Sequence, residues 1–218
     1  MTVIKICGLK TLQDSLATCE AGADMLGFNF YQESVRYITP HICRLIVERV
    51  KADYPHILCV GIFVNNDATD IKSIMRECHL DLAQLSGNET IDTLKELGTS
   101  AFKAIRPRSP DDARELIERL PTRASPPAFL LDSYQPGAYG GTGKVGDFEL
   151  AASISREHPI LLAGGLDPVN VSSMVERIQP WGVDVASGVE RVRGQKDMAL
   201  VRSFIQTVRE SEAININP

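Results

Sequence analysis

The stretch FLLDSYQPGAYGGTGKVG, residues 129–146, decides what kind of fold this sequence encodes. Phe129, Leu130 and Leu131 follow a Pro-Pro pair and read as a short buried strand, after which the chain turns abruptly polar and glycine-rich. Asp132 therefore ends a strand. An α/β fold places a general acid or base at such a mouth, beside backbone N–H groups able to hold an anion. Gly141, Gly143 and Gly146 match G-x-G-x-x-G, but the dinucleotide fingerprint begins directly after its strand and here a loop intervenes. Residues 138–145 approach a nucleotide-binding P-loop, yet Ala138 replaces its first glycine and Val145 stands where Mg²⁺ needs a hydroxyl. Neither nucleotide fold is supported, and Asp132 remains as a strand-end carboxyl.

Working outward in both directions, strand-like and helix-like segments alternate without a break. Val3, Ile4 and Ile6 mark a first strand ending at Cys7-Gly8, and Thr11 with Asp14 opens a helix carrying Leu12, Leu16, Cys19 and Ala23. Residues 25–30 read as a second strand, followed by a polar loop with Arg36 and a helix from Pro40 with Ile42, Leu45 and Ile46 on its apolar face. A third strand spans 57–64, its helix facing inward through Ile71, Ile74, Met75 and Cys78. Shorter strands follow at 81–85 and 101–105, with a helix ending at Gly98 between them and another over 110–120 beyond. After Asp132 come a helix over 148–154, a strand at 159–163, a helix with Val171, Met174, Val175 and Ile178, and a strand at 183–186. The last helix carries Leu200, Val201, Phe204, Ile205 and Val208, before a polar tail at 211–218.

Eight strand-helix units with no low-complexity linker predict a single closed (β/α)₈ TIM barrel over 1–210; an open doubly wound sheet is the alternative. Length and composition agree: 218 residues, 44% hydrophobic and 23% charged. The net charge of -5 offers no footprint for nucleic acid or anionic membrane, so the expected partners are small molecules. Five scattered cysteines without a C-x-x-C pair, and four scattered histidines, predict neither a disulfide scaffold nor a metal site. The N-terminal segment has no basic stretch leading into a long apolar run, and a cytoplasmic chain is expected.

In a closed barrel the strand C-termini share one face. That brings together Cys7, Arg36, Asp132, Gly164-Gly165 and Ser187-Gly188. The loops LAGGL at 162–166 and ASG at 186–188 suit a phosphate, because glycine lets oxygens approach backbone N–H groups and a helix N-terminus favours negative charge.

Taken together, KICGL at 5–9, VRYITP at 35–40, VGIFVN at 60–65, LLDS at 130–133, GGTGK at 140–144, LAGGLDPVNV at 162–171 and GVDVASGVE at 182–190 resemble successive motifs of the phosphoribosylanthranilate isomerase family. The likeness covers nearly the whole chain. It implies a (β/α)₈ barrel of tryptophan biosynthesis that converts N-(5-phosphoribosyl)anthranilate into the 1-deoxyribulose 5-phosphate ketoamine by an Amadori rearrangement, with no cofactor, working as a monomer or homodimer. It further implies Cys7 as general base, Asp132 as general acid, Arg36 as partner of the anthranilate carboxylate, Asp184 as a substrate-orienting group, and Gly164, Gly165, Ser187 and Gly188 as the phosphate site. The chain departs from the family pattern at Ser86, where histidine is common, at Val35, often proline, and at Gly146, usually aromatic.

The chemistry accounts for these residue types. An acid must protonate the furanose oxygen, which calls for a carboxyl holding its proton; the iminium ion so formed acidifies the C2 proton, which a thiolate can take. Two rivals are weighed. The histidine-pathway sugar isomerases resemble doubled half-barrels with aspartate ending strand one, whereas Cys7 stands here and VGIFVNN at 60–66 lacks a Gly-Gly pair. A catalytically silent phosphosugar-binding barrel would lack the acid or the base; both are present.

Overall fold

A computed structural model describes the chain except residues 122, 124, 133–144 and 217–218; the side chains of 145–147 and 212–216 are also left undescribed. The glycine-rich run after Asp132, including Gly141 and Gly143, lies outside the described residues.

Eight parallel strands close into a barrel in sequence order: β1 Val3–Cys7, β2 Met25–Asn29, β3 Leu58–Phe63, β4 Leu82–Leu85, β5 Ala101–Ile105, β6 Leu130–Asp132, β7 Leu161–Ala163 and β8 Gly182–Val185. The closing seam pairs β1 with β8, Lys5 lying beside Asp184. The helices are α1 Leu12–Glu20, α2 Pro40–Asp53, α3 Ala68–Glu77, α4 Ile91–Leu97, α5 Pro110–Arg119, α6 Val145–Glu157, α7 Val171–Ile178 and α8 Met198–Ile216. A short antiparallel pair, β9 Glu190–Val192 and β10 Gln195–Lys196, precedes α8.

Local chemistry sets the helix starts. The side chains of Thr11, Thr39, Asp67, Thr90 and Ser109 accept from the backbone N–H three residues on, capping the first five helices, and Pro40 and Pro110 stand at helix starts where the missing N–H costs nothing. Each such cap is worth about 1 kcal/mol. At the other end of α4, Gly98 adopts φ 60°, as the C-cap reading requires.

The core has two compartments. Between sheet and helices lies a large apolar layer that includes Ile4, Ile6, Phe28, Phe63, Val183 and Phe204. Inside the barrel, Met25, Val60, Phe102, Leu130, Leu161 and Ala163 form a second cluster. Because strand residues alternate faces, these inner positions fix the parity of every strand. The same parity puts Lys5 and Cys7 of β1, Gln84 of β4, Asp132 of β6 and Asp184 of β8 on the inner face.

Two helix faces differ from the sequence expectation. On α2 the buried residues are Cys43, Ile46, Val47 and Val50, whereas Ile42 and Leu45 are exposed, because α2 carries apolar residues on both sides and two stripes satisfy helical spacing. On α1, Leu12 is exposed and Ser15, Thr18 and Cys19 are buried. The segment expected as a polar tail starts within α8, which continues to Ile216. Arg209 ties this helix to the Thr2 and Gly22 carbonyls and to Asp24, and the Ser211 hydroxyl donates to the Val208 carbonyl, so the helix has partners beyond its apolar stripe. Among the described residues no helix is long and apolar enough to cross a membrane.

Candidate active site

The C-terminal mouth of the barrel gathers the polar residues singled out above, and its two sides are built differently. On the β1 side, Cys7 is buried against β2: a Cβ on Gly27 would lie 3.0 Å from Cys7 Sγ and 3.0 Å from its Cα. A side chain at Gly27 would press on the thiol. One pleat deeper on β1, the wholly buried Lys5 donates from Nζ to Asp184 Oδ1 at 2.7 Å. Burial works against the Lys5 ammonium, but Asp184 and Cys7 outweigh it and raise its pKa. At Cys7, burial pushes the thiol up and Asp184 adds to this, while Lys5 and Lys196 pull the other way without cancelling it.

Above Cys7 lies a network that sequence reading missed. Arg36 grips Glu190 with its planar fork, Nε to Oε1 and Nη2 to Oε2, both at 2.7 Å. Glu190 also accepts from Lys196 Nζ at 3.1 Å and from the Gly194 N–H at 3.0 Å, and Lys196 reaches the Ala186 carbonyl at 2.8 Å. Burial opposes the Glu190 carboxylate, yet Arg36, Gly194 and Lys196 bring its pKa down to about 2. Burial lowers the pKa of Lys196, and the Glu190 contact raises that of Arg36. Two glycines shape the seat: a Cβ on Gly8 would meet Arg36 Cδ at 2.5 Å, and one on Gly194 would meet the Val35 carbonyl oxygen at 2.9 Å. Both have positive φ, 81° and 84°. Arg36, expected to face a ligand carboxylate, thus already has one edge of its guanidinium on Glu190.

Across the mouth stands the end of β6. Asp132, at the end of β6, accepts from Arg106 Nε at 2.8 Å; the Arg106 side chain is 61% exposed and that of Asp132 18%. Arg106 follows β5 directly, at the inward parity of Phe102 and Ala104. On β4, Gln84 donates to the Ser86 hydroxyl at 3.1 Å, and its buried Oε1 has no partner among the described residues.

The β7 and β8 loops interlock. Gly164 and Gly165 have φ of 102° and 66°, and a Cβ on Gly165 would point into open space. Asn170 and Asp167 pin this turn, through Asn170 Nδ2 to the Gly165 carbonyl at 2.8 Å and Asp167 Oδ1 to the N–H groups of Val169 and Asn170. Ser187 opens a 3₁₀ turn, and a Cβ on Gly188 would collide with the Leu166 carbonyl oxygen. Residues 4–207 match the family model described as N-(5'-phosphoribosyl)anthranilate (PRA) isomerase.

The chain belongs to the N-(5'-phosphoribosyl)anthranilate isomerase family.

It is 41% identical over 212 residues to the N-(5'-phosphoribosyl)anthranilate isomerase of Trichlorobacter lovleyi, covering 97% of this chain and 100% of that one. The enzyme of the same name from Geobacter sulfurreducens is 40% identical over 209 residues, 96% and 99% of the two chains. Among solved structures, phosphoribosyl anthranilate isomerase from Thermotoga maritima superposes with a TM-score of 0.84 at 33% identity, covering 96% of this chain and 100% of that one. A phosphoribosyl anthranilate isomerase in complex with reduced 1-(o-carboxyphenylamino)-1-deoxyribulose 5-phosphate gives a TM-score of 0.81 at 30% identity, again over 96% and 100%.

The signals for the missed residues differ in strength. Lys5 and Gln84 are polar residues at the inner parity of short apolar strands, a visible anomaly. Glu190 lies inside a quoted motif, and the turn RVRGQK at 191–196 holds the glycine that a tight hairpin needs. Nothing in the sequence pairs Arg36 with a residue 154 positions away.

Proposed function

We propose that this chain isomerises N-(5-phosphoribosyl)anthranilate to 1-(2-carboxyphenylamino)-1-deoxyribulose 5-phosphate, the Amadori step of tryptophan biosynthesis, with Asp132 as general acid and Cys7 as general base. The observation that supports it most is the placement of both groups on the inner face at the ends of β6 and β1, in a chain of this family. Asp132 gives its proton to the furanose oxygen while the anthranilate nitrogen's lone pair expels that oxygen from C1, leaving an iminium ion. The Cys7 thiolate then takes the C2 proton; the C2–H electron pair forms the C1–C2 double bond and neutralises the nitrogen. Tautomerisation of the enolamine yields the ketone. Bond cleavage at C1 and at C2–H needs only a proton donor and a proton acceptor, which side chains supply.

The loop glycines Gly164, Gly165 and Gly188, with Ser187, suit a phosphate because Gly165 opens onto free space and the β7 turn is already fixed by Asp167 and Asn170. Arg36 suits the anthranilate carboxylate through the part of its fork that Glu190 does not occupy. Asp184 was expected to orient substrate; its grip on Lys5 gives it work below the mouth as well. A cytoplasmic setting fits five free thiols. Purified protein mixed with phosphoribosylanthranilate generated in place should abolish that compound's fluorescence at a rate proportional to enzyme. Fluorescence decaying only at the uncatalysed rate would refute the activity.

A further inference from the structure

We infer that Lys5, fixed by Asp184 one pleat beneath Cys7, is a positioning residue for the base: its buried ammonium holds the Cys7 thiol in reach of its thiolate form. The inference rests on the Amadori reading and adds to it a residue that touches no substrate. Lys5 and Cys7 are two apart on one strand, so both side chains enter the barrel and are separated by one repeat of about 7 Å along the strand. Lys5 is 0% exposed. Withdrawing an ammonium from water costs several kcal/mol even when paired, and the neighbouring inner position on β2 is filled by Met25, so an apolar residue would serve packing better. Asp184 lies 2.7 Å from the ammonium and is the largest single influence that favours its charge against burial. An ammonium has three donors. One goes to Asp184, and Cys7 is the next side chain up on the same inner face of β1.

The groups acting on Cys7 come from several elements. Lys5 on β1 and Lys196 on β10 favour the thiolate, Asp184 on β8 disfavours it, and burial disfavours it most. Arg36, above, is also coupled to Cys7, while its charge is engaged by Glu190. Lys196 is a weaker counterweight to Cys7 than Lys5. Without Lys5 the thiolate would be scarcer at neutral pH, and a base that is seldom deprotonated is a slow base.

The test reads the thiol without substrate. Iodoacetamide alkylation of Cys7, followed by peptide mass spectrometry between pH 6 and 10, is compared in the wild type, Lys5→Met, Lys5→Met/Asp184→Asn and Asp184→Asn. The double variant removes both charges at nearly constant volume and so avoids stranding a buried carboxylate; Asp184→Asn strips Lys5 of its counter-charge, leaving burial to neutralise it. In each natively folded variant the alkylation midpoint should rise by about one pH unit or more, alkylation at pH 7 should fall about tenfold, and kcat/KM should fall alongside it and recover as pH is raised. A strut would not move a thiol's titration. An unchanged midpoint in the double variant, or a lower one in Asp184→Asn, overturns the inference. If alkylation shifts as expected while the wild type turns over no phosphoribosylanthranilate, the Amadori reading fails and the coupling of Lys5 to Cys7 stands.

Discussion

The two sides of the barrel mouth are built to different standards. Around Cys7, the side chains of Lys5, Asp184, Glu190 and Lys196 are each 9% exposed or less, and every charge has a counter-charge within 3.1 Å. Asp132 pairs with Arg106, an arginine mostly in water. Buried pairs of this kind hold geometry at a cost in desolvation, whereas an exposed pair contributes little to stability and exchanges readily. The base side is thus set before substrate arrives. On the side proposed for the acid, Arg106 is exposed enough to move away from Asp132.

The hardest test of this contrast removes the two groups themselves. Cys7→Ala and Asp132→Asn should each lower kcat by about a hundredfold or more, the lower range for a positioned proton-transfer group, with folding nearly unchanged by circular dichroism. A variant keeping more than about a tenth of normal activity would strip that residue of its role.

Next in size is Arg36. Arg36→Met should cost about tenfold or more in kcat/KM and Arg36→Lys less, because truncating a charged hydrogen bond costs roughly 1.5–3 kcal/mol and lysine restores charge but not the fork. Wild-type kinetics in Arg36→Met would move the carboxylate partner elsewhere in the mouth.

Glu190→Gln probes the network behind Arg36. A carboxylate held at about 2 in the fold and near its ordinary value when unfolded stabilises the native state above the ordinary range, and that stabilisation fades as pH falls through the folded value. The variant should be less stable than the wild type at pH 7 by at most about 3 kcal/mol, and the gap in urea midpoint should narrow steadily from about pH 5 to pH 2. A gap independent of pH would mean that Glu190 is held by packing alone.

The smallest effect belongs to the open side. Arg106→Ala should change stability by less than about 1 kcal/mol, as exposed pairs do, and should leave the urea midpoint almost unmoved. A loss several times larger would show that the acid side is as locked as the base side, and the contrast would collapse.

What could be read from sequence follows the same divide. The barrel was legible because alternating apolar runs and capping residues such as Thr11 and Gly98 act locally. Cys7 and Asp132 were legible because strand ends are local too, whereas Asp184, inside β8, was singled out only through the family resemblance. The Arg36–Glu190–Lys196 network was not, since it joins the loop after β2 to a hairpin after β8, a juxtaposition that exists only once the barrel closes. The buried face of α2 was misjudged for an energetic reason: two apolar stripes compete, and only packing against the sheet selects Cys43, Ile46, Val47 and Val50 over Ile42 and Leu45.

Strand length has a consequence for how the molecule breathes. β6 and β7 are three residues long, while β1, β2 and β3 run to five or six. Fewer ladder bonds mean a lower free energy of local opening, so the backbone amides of β6 and β7 should exchange with deuterium before those of β1–β3. These two strands end in Asp132 and in the Gly164-Gly165 turn. A sugar phosphate drawn across that turn would staple the weakest quarter of the barrel shut, and slowed exchange there would report occupancy even in a variant that cannot turn over.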